Sequence, residues 1–178
     1  GFKIIDYKEN YKIKNNLIDI FKKPNKILLF MSRLDEGKGI LELISAWNQI
    51  VNQAEFYNWW LFIAGFGDLR KIVTSYANKF NSRIIFNGPI FGEEKNFILQ
   101  NSKGFVLPSY NEASPISLLE ALSFKTTCLI TEKCNKKLIE SNISLKIDIT
   151  KRQNNIKNAL LELFQLSEKD LAERERLG

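Results

Sequence analysis

The 178-residue chain has the length of one ordinary domain, and 44% hydrophobic residues with thirteen Phe supply enough apolar surface for a packed core. Two cysteines and no histidine exclude the usual zinc constellations and every mechanism that uses imidazole as a general base, so any catalysis draws on carboxylates, lysine, arginine or the substrate itself. The net charge of +6 comes from Lys and Arg scattered among Asp and Glu without a long basic stripe, which argues against nucleic acid; a phosphorylated small molecule, or an anionic membrane surface touched peripherally, accounts for the same excess. The longest apolar runs, such as ILLFM at 27–31, fall far short of the roughly 20 residues of a membrane span, and the first residues carry no signal-peptide pattern. A cytoplasmic setting with reduced thiols is expected. Richness in Lys, Ile and Asn points to an AT-rich bacterial genome.

In chain order, residues 1–25 are polar and rich in Lys and Asn, and read as a linking segment. Strand-like runs follow at 26–32 (KILLFMS), 59–65 (WWLFIAG), 82–88 (SRIIFNG), 104–109 (GFVLPS), 127–131 (TCLIT) and 143–148 (ISLKID). Between them, the stretches at 39–53, 67–80, 93–101, 115–123 and 136–142 have helical spacing of apolar positions, and 154–166 forms a last such stretch. The segment 166–178 reads as the start of a helix pair cut short. Strict alternation with connections too long for hairpins predicts an α/β, Rossmann-like doubly wound parallel sheet of about six strands with helices on both faces. The Phe-rich segment at 56–62 and the stretch 69–80 are expected in the core.

Ligands of such sheets lie beyond the carboxyl ends of the strands, so the loops after strands are where chemistry is sought. Four carry unusual residues: SRLDEGKG at 32–39 with Arg33 and Lys38, GFGD at 65–68, NGPIFGEE at 87–94 with Ile90, and YNEASPISLLEAL at 110–122. In the last, Ser114 is a favoured N-cap and Pro115 suits the first helical position, which leaves the amides of Ile116 and Ser117 and the helix dipole as an anion site. Glu120 then lies roughly 7 to 8 Å down the helix, placed to accept hydrogen bonds from a ribose diol, with Glu112 above the helix tip. Each feature alone has a bland reading: Glu120 as a solvated face residue, Glu112 as a helix-start charge, Arg33 and Lys38 as ordinary loop cations, GFGD as turn geometry. Their conjunction on one edge favours a nucleotide diphosphate with something hydroxylated beyond it. Cys134 is read as a small loop or core residue, not a ligand.

These segments together resemble the C-terminal, donor-binding domain of GT-B glycosyltransferases, specifically the retaining group called family four. SRLDEGKGILELISAW is similar to that family's first strand and phosphate loop, LFIAGFGD to its second strand and glycine turn, FNGPIFGEE to the loop bordering the nucleobase, and PSYNEASPISLLEAL to its signature of two glutamates with seven residues between them. The resemblance implies that Arg33 and Lys38 hold the donor diphosphate with amides around Ser114, Pro115 and Ile116, and that Glu120 binds the ribose. It places Glu112 by the transferred sugar and the backbone near Ile90 by the base. Glu112, Arg33 and Lys38 are the expected catalytic groups of a hexosyltransferase-type enzyme with a UDP- or GDP-linked sugar as donor and no metal or other cofactor. The acceptor, a saccharide or lipid-linked saccharide of polysaccharide assembly, is expected on an N-terminal domain preceding residues 1–25. Residues 26–178 then form the donor domain, truncated at its end and inactive alone. The sequence departs from the family where Ala113 and Pro115 stand in place of glycines and where ITEKCN replaces a glycine-rich turn. Two other readings stand beside this one: a dehydrogenase-like dinucleotide domain, disfavoured because no glycine fingerprint follows the first strand, and a noncatalytic interaction module on an inherited fold.

Overall fold

The computed structural model describes residues 20–21, 25–112, 115–148 and 152–177, so that most of the expected linking segment, and Ala113 and Ser114, lie outside the described residues. Six strands, β1 (Lys26–Met31), β2 (Trp59–Ala64), β3 (Ile84–Gly88), β4 (Gly104–Leu107), β5 (Thr127–Thr131) and β6 (Ser144–Ile147), form one sheet in the order β3-β2-β1-β4-β5-β6. Every pairing is parallel. The central strands are buried on both faces, which is why β1, β2, β4 and β5 read as continuous apolar runs and not as alternating ones.

Among the described residues, seven α-helices connect or follow the strands: α1 (Ile40–Ile50), α2 (Arg70–Ala77), α3 (Gly92–Asn101), α4 (Ile116–Ser123), α5 (Glu132–Glu140), α6 (Arg152–Gln165) and α7 (Glu168–Leu177). The sequence-predicted elements lie at these places, with ends that differ by one to a few residues. One difference has a clear cause. The stretch 132–135, expected as a turn between the strand at 127–131 and a helix at 136–142, is already helical from Glu132 and kinks at Asn135, whose side-chain oxygen accepts from the Leu138 amide at 3.3 Å. Asn135 thus caps a second short helical segment that the apolar spacing alone had located.

The core lies on both sides of the sheet. On one side α6 returns over α1: Phe164 stacks on Trp59 with centroids 4.3 Å apart and meets the Trp47 ring edge-on at 5.9 Å. The Trp47 indole, fully buried, donates to the Ser82 carbonyl at 2.9 Å, as a buried N–H must find a partner. On the other, Phe21 lies against Phe62 of β2 and Phe97 of α3. Phe56, Trp59 and Phe62 are core residues as expected, but Tyr57 is 72% exposed, and of the stretch 69–80 only Val73 is buried, with Ile72 43% exposed and Phe80 94% exposed in the turn that precedes β3. The turn carries it past the end of α2, where the helical period no longer fixes which way a side chain faces.

Strand order reverses between β1 and β4. In an open parallel sheet the connections on the two sides of such a point run away from each other, leaving a crevice at the carboxyl ends of those two strands. The loops after β1 and β4 are the ones that carry Lys38 and Glu112.

Candidate functional site

The loop after β1 is held from two sides. Leu34 is fully buried; its amide donates to the Phe66 carbonyl at 2.7 Å and its carbonyl accepts from the Leu69 amide at 3.1 Å, stitching this loop to the GFGD turn. That stitching explains Gly65, which sits at φ +151 with Ser32 so near that a Cβ would lie 1.9 Å from its carbonyl oxygen. Toward β4, the Gly37 carbonyl accepts from the Tyr110 amide at 2.9 Å and from the Ser109 hydroxyl at 3.0 Å. Gly39, at φ +69, begins α1 where a Cβ would lie 2.4 Å from the Pro108 carbonyl oxygen. The loops after β1 and β4 are therefore one packed unit. From below, the Thr131 hydroxyl donates to the Ser109 carbonyl at 2.6 Å, and Cys134 approaches the Leu107 carbonyl at 3.5 Å. Burial pushes the Cys134 thiol up, opposed by the hydrogen bonds it shares with Thr131 and reinforced by the nearby charge of Glu112. It is a buried, free thiol in the support of the site.

The consequence of this packing is a direct contact between Lys38 and Glu112, 2.6 Å from Nζ to Oε1, across 74 residues of sequence. Their side chains are only 12% and 11% exposed. Two charges so far withdrawn from water require each other, because either alone would be an uncompensated charge in a poorly solvated place. Arg33, on the same loop, is different: its side chain is 67% exposed, and its guanidinium lies 3.3 Å from the Asp35 carboxylate, a surface pair worth little on its own.

Helix α4 starts one residue later than expected. Pro115 is buried with φ −73 and ψ 106 and occupies the cap position; its carbonyl accepts from the amides of Leu118 and Leu119 at 3.0 and 3.3 Å. Proline's fixed φ suits either position, and the extended ψ decides for the cap. The amides of Ile116 and Ser117 come before those first intrahelical bonds, at the positive end of the helix dipole. Ile116 is 71% exposed at the start of the helix. Ser114, expected as the cap, lies outside the described residues.

Glu120, in the second turn of α4, accepts a short hydrogen bond from Lys95 in the first turn of α3. Both side chains are about 30% exposed, 28% for Lys95 and 30% for Glu120. Lys95 was not singled out in the sequence, where it is one cation in an amphipathic helix. Its place beside Glu120 depends on α3 and α4 lying together, which strand order sets. After β3, Ile90, whose backbone is expected to border the base, is buried at 5% exposed; Phe91 beside it is 72% exposed, and Phe66 in the GFGD turn 59%.

The structure thus brings Lys38 and Glu112 into contact, sets Arg33 on the same loop, and places Pro115, Ile116 and Glu120 on the helix that follows Glu112. All follow the carboxyl ends of strands. A surface depression of about 570 Å³, lined in part by Tyr57, Trp60, Lys79 and Arg83, lies at the opposite edge, before β2 and β3. The converging charges, and not this concavity, mark the site, since the concavity lies away from the reversal of strand order. Among the described residues no three His, Cys, Asp or Glu side chains gather as metal ligands would, and no helix is long and apolar enough to cross a membrane.

Comparison with solved structures gives the same architecture. WaaG, a glycosyltransferase involved in lipopolysaccharide biosynthesis, superposes with a TM-score of 0.75 at 21% identity over 91% of this chain and 44% of its own. A UDP-forming α,α-trehalose-phosphate synthase from Burkholderia vietnamiensis does so at 0.73 and 11% over 90% and 42%. An E. coli trehalose-6-phosphate structure bound with UDP-2-fluoro glucose gives 0.72 and 11% over 90% and 41%. The chain spans less than half the length of each of these proteins, and at such identities the likeness speaks for the fold. No curated protein sequence matches the chain significantly. The sequence profile described as glycosyl transferases group 1 matches residues 13–176, nearly the whole chain. With the parallel sheet of the C-terminal GT-B domain and this profile across it, the chain belongs to the group 1 glycosyl transferases.

Proposed function

We propose that this chain binds the nucleotide-sugar donor for a retaining, hexosyl-type glycosyltransferase that delivers the sugar to a saccharide or lipid-linked acceptor. The observation that carries this reading is the meeting of Lys38 and Glu112 where strand order reverses, next to the start of α4. The UDP-forming neighbour and the one with UDP-2-fluoro glucose bound favour a uridine diphosphate sugar, with a guanosine one as the competing donor.

The chemistry follows from charge. An ammonium has three donors, so Lys38 keeps its bond to Glu112 through one and offers the others to diphosphate oxygens. Arg33 swings from the exposed Asp35 pair to the same group, and the Ile116 and Ser117 amides complete the cradle. When the anomeric C–O bond breaks, its electron pair passes to the diphosphate, where charge grows on an oxygen already facing cations and a helix dipole. The acceptor hydroxyl forms the new bond on the face the diphosphate leaves, and its proton passes to the departing diphosphate, which retains configuration. Glu112 accepts from sugar hydroxyls, and Glu120 from the ribose diol.

Calorimetric titration of the chain with UDP, GDP and their glucose conjugates tests this. One nucleoside diphosphate should bind, and Lys38→Ala and Arg33→Ala should each weaken it by about tenfold with a smaller dependence on salt. Absence of binding by all four ligands, or unchanged isotherms for both variants, overturns the reading.

A further inference from the structure

The Lys95–Glu120 pair has no place in the roles assigned so far. Glu120 is the expected acceptor for the ribose diol, yet a carboxylate beside a bound diphosphate repels it, and a mobile one spends affinity on being ordered. Lys95 answers both difficulties. It reaches across from α3 to α4 and binds Glu120 through Oε1, which fixes the carboxylate's orientation and leaves Oε2 as the second acceptor. Its charge offsets that of Glu120. Its remaining donors lie beside the carboxylate, where a diol oxygen would also sit.

We infer that Lys95 is a positioning residue for the donor's ribose, holding Glu120 in the orientation that reads the sugar's vicinal hydroxyls, so that this chain's preference for ribonucleotides depends on a residue of α3. The inference rests on the donor-binding reading above. Lys95 joins that reading to α3, whose first turn directly follows the loop expected to border the base. Base and ribose recognition would then share one rigid element.

The test is titration of the full chain with UDP, GDP and their 2′-deoxy counterparts. The wild-type chain should bind the ribonucleotide about tenfold more tightly than the deoxy form or better, as expected for hydrogen bonds to a charged group. Lys95→Met should narrow that ratio to within about threefold, chiefly by weakening the ribonucleotide, while Lys95→Arg, which keeps the charge and the donors, retains most of it. The pair is part-exposed, and circular dichroism melts of both variants should stay near the wild type's. A Lys95→Met chain that keeps the full ribose preference overturns the inference and leaves the donor-binding reading standing. A wild-type chain that binds none of the four nucleotides overturns both.

Discussion

Lys38 and Glu112 neutralise one another at rest, so a diphosphate arriving at Lys38 competes with a carboxylate already 2.6 Å away. Replacing Glu112 by Gln keeps a hydrogen-bond acceptor of the same shape but removes the competing charge. Glu112→Gln should therefore tighten the binding of free UDP or GDP by about three- to tenfold, because Lys38 no longer shares its charge. The sugar conjugate should gain less, since Glu112 is also the group proposed to meet the sugar. Titration of the variant with nucleotide and nucleotide sugar side by side reads the difference; equal or weaker binding of the free nucleotide would show that the pair does not yield to phosphate. At this scale the sequence was a partial guide. Both residues stand out in their loops, and the reversal of strand order accounts for their proximity, but nothing in SRLDEGKG or YNEASP says that they touch. Lys95 was illegible for the same reason: its partner lies 25 residues away on another helix.

At the level of the elements, the loops after the strands are shaped by close backbone approach more than by their side chains. GFGD is the clearest case, read in the sequence as turn geometry and found stitched to the loop after β1 through Leu34. Gly65→Ala would place a methyl carbon against the Ser32 carbonyl at a φ that L residues rarely adopt, and should destabilise the chain by at least about 3 kcal/mol. Urea unfolding followed by circular dichroism measures this, and a loss under about 1 kcal/mol would mean that the two loops separate easily. The strands were legible because a parallel sheet covered on both faces makes continuous apolar runs, bounded here by Gly, Pro, Ser and Asn. Helix ends were less so. The extended ψ of Pro115 and the kink at Asn135 are set by local hydrogen bonds that apolar periodicity does not encode. At the start of α7 the Ser167 hydroxyl accepts from the Asp170 amide and the Asp170 carboxylate from the Ser167 amide, each at 3.1 Å, a reciprocal cap that apolar spacing did not reveal.

Across the molecule, the site at one edge of the sheet depends on a core assembled from distant segments. Helix α6 docks Phe164 into Trp47, Phe56 and Trp59, drawing on both halves of the chain. Phe164→Ala should cost about 3–5 kcal/mol and lower the melting temperature by on the order of 10 °C, observable by calorimetry, because the aromatic cluster cannot close over the space left behind. A shift of only a degree or two would place α6 outside the cooperative core. Nucleotide binding by the folded fraction should survive, since no residue of this cluster lies in the loops after β1 and β4.

Composition, apolar runs and helical periodicity by themselves determined the class of fold, the order of its elements and which loops follow the strands, since each is a local property of the chain. The chain itself contributes no imidazole, so the ionisable side chains it brings to these loops are carboxylates and cations. What tertiary structure alone decided is which charges meet across the chain: Lys38 with Glu112 and Lys95 with Glu120. Those contacts follow from strand order and from carbonyl-to-amide stitching between loops. Both depend on packing free energy summed over the whole sheet, which no single window of sequence contains.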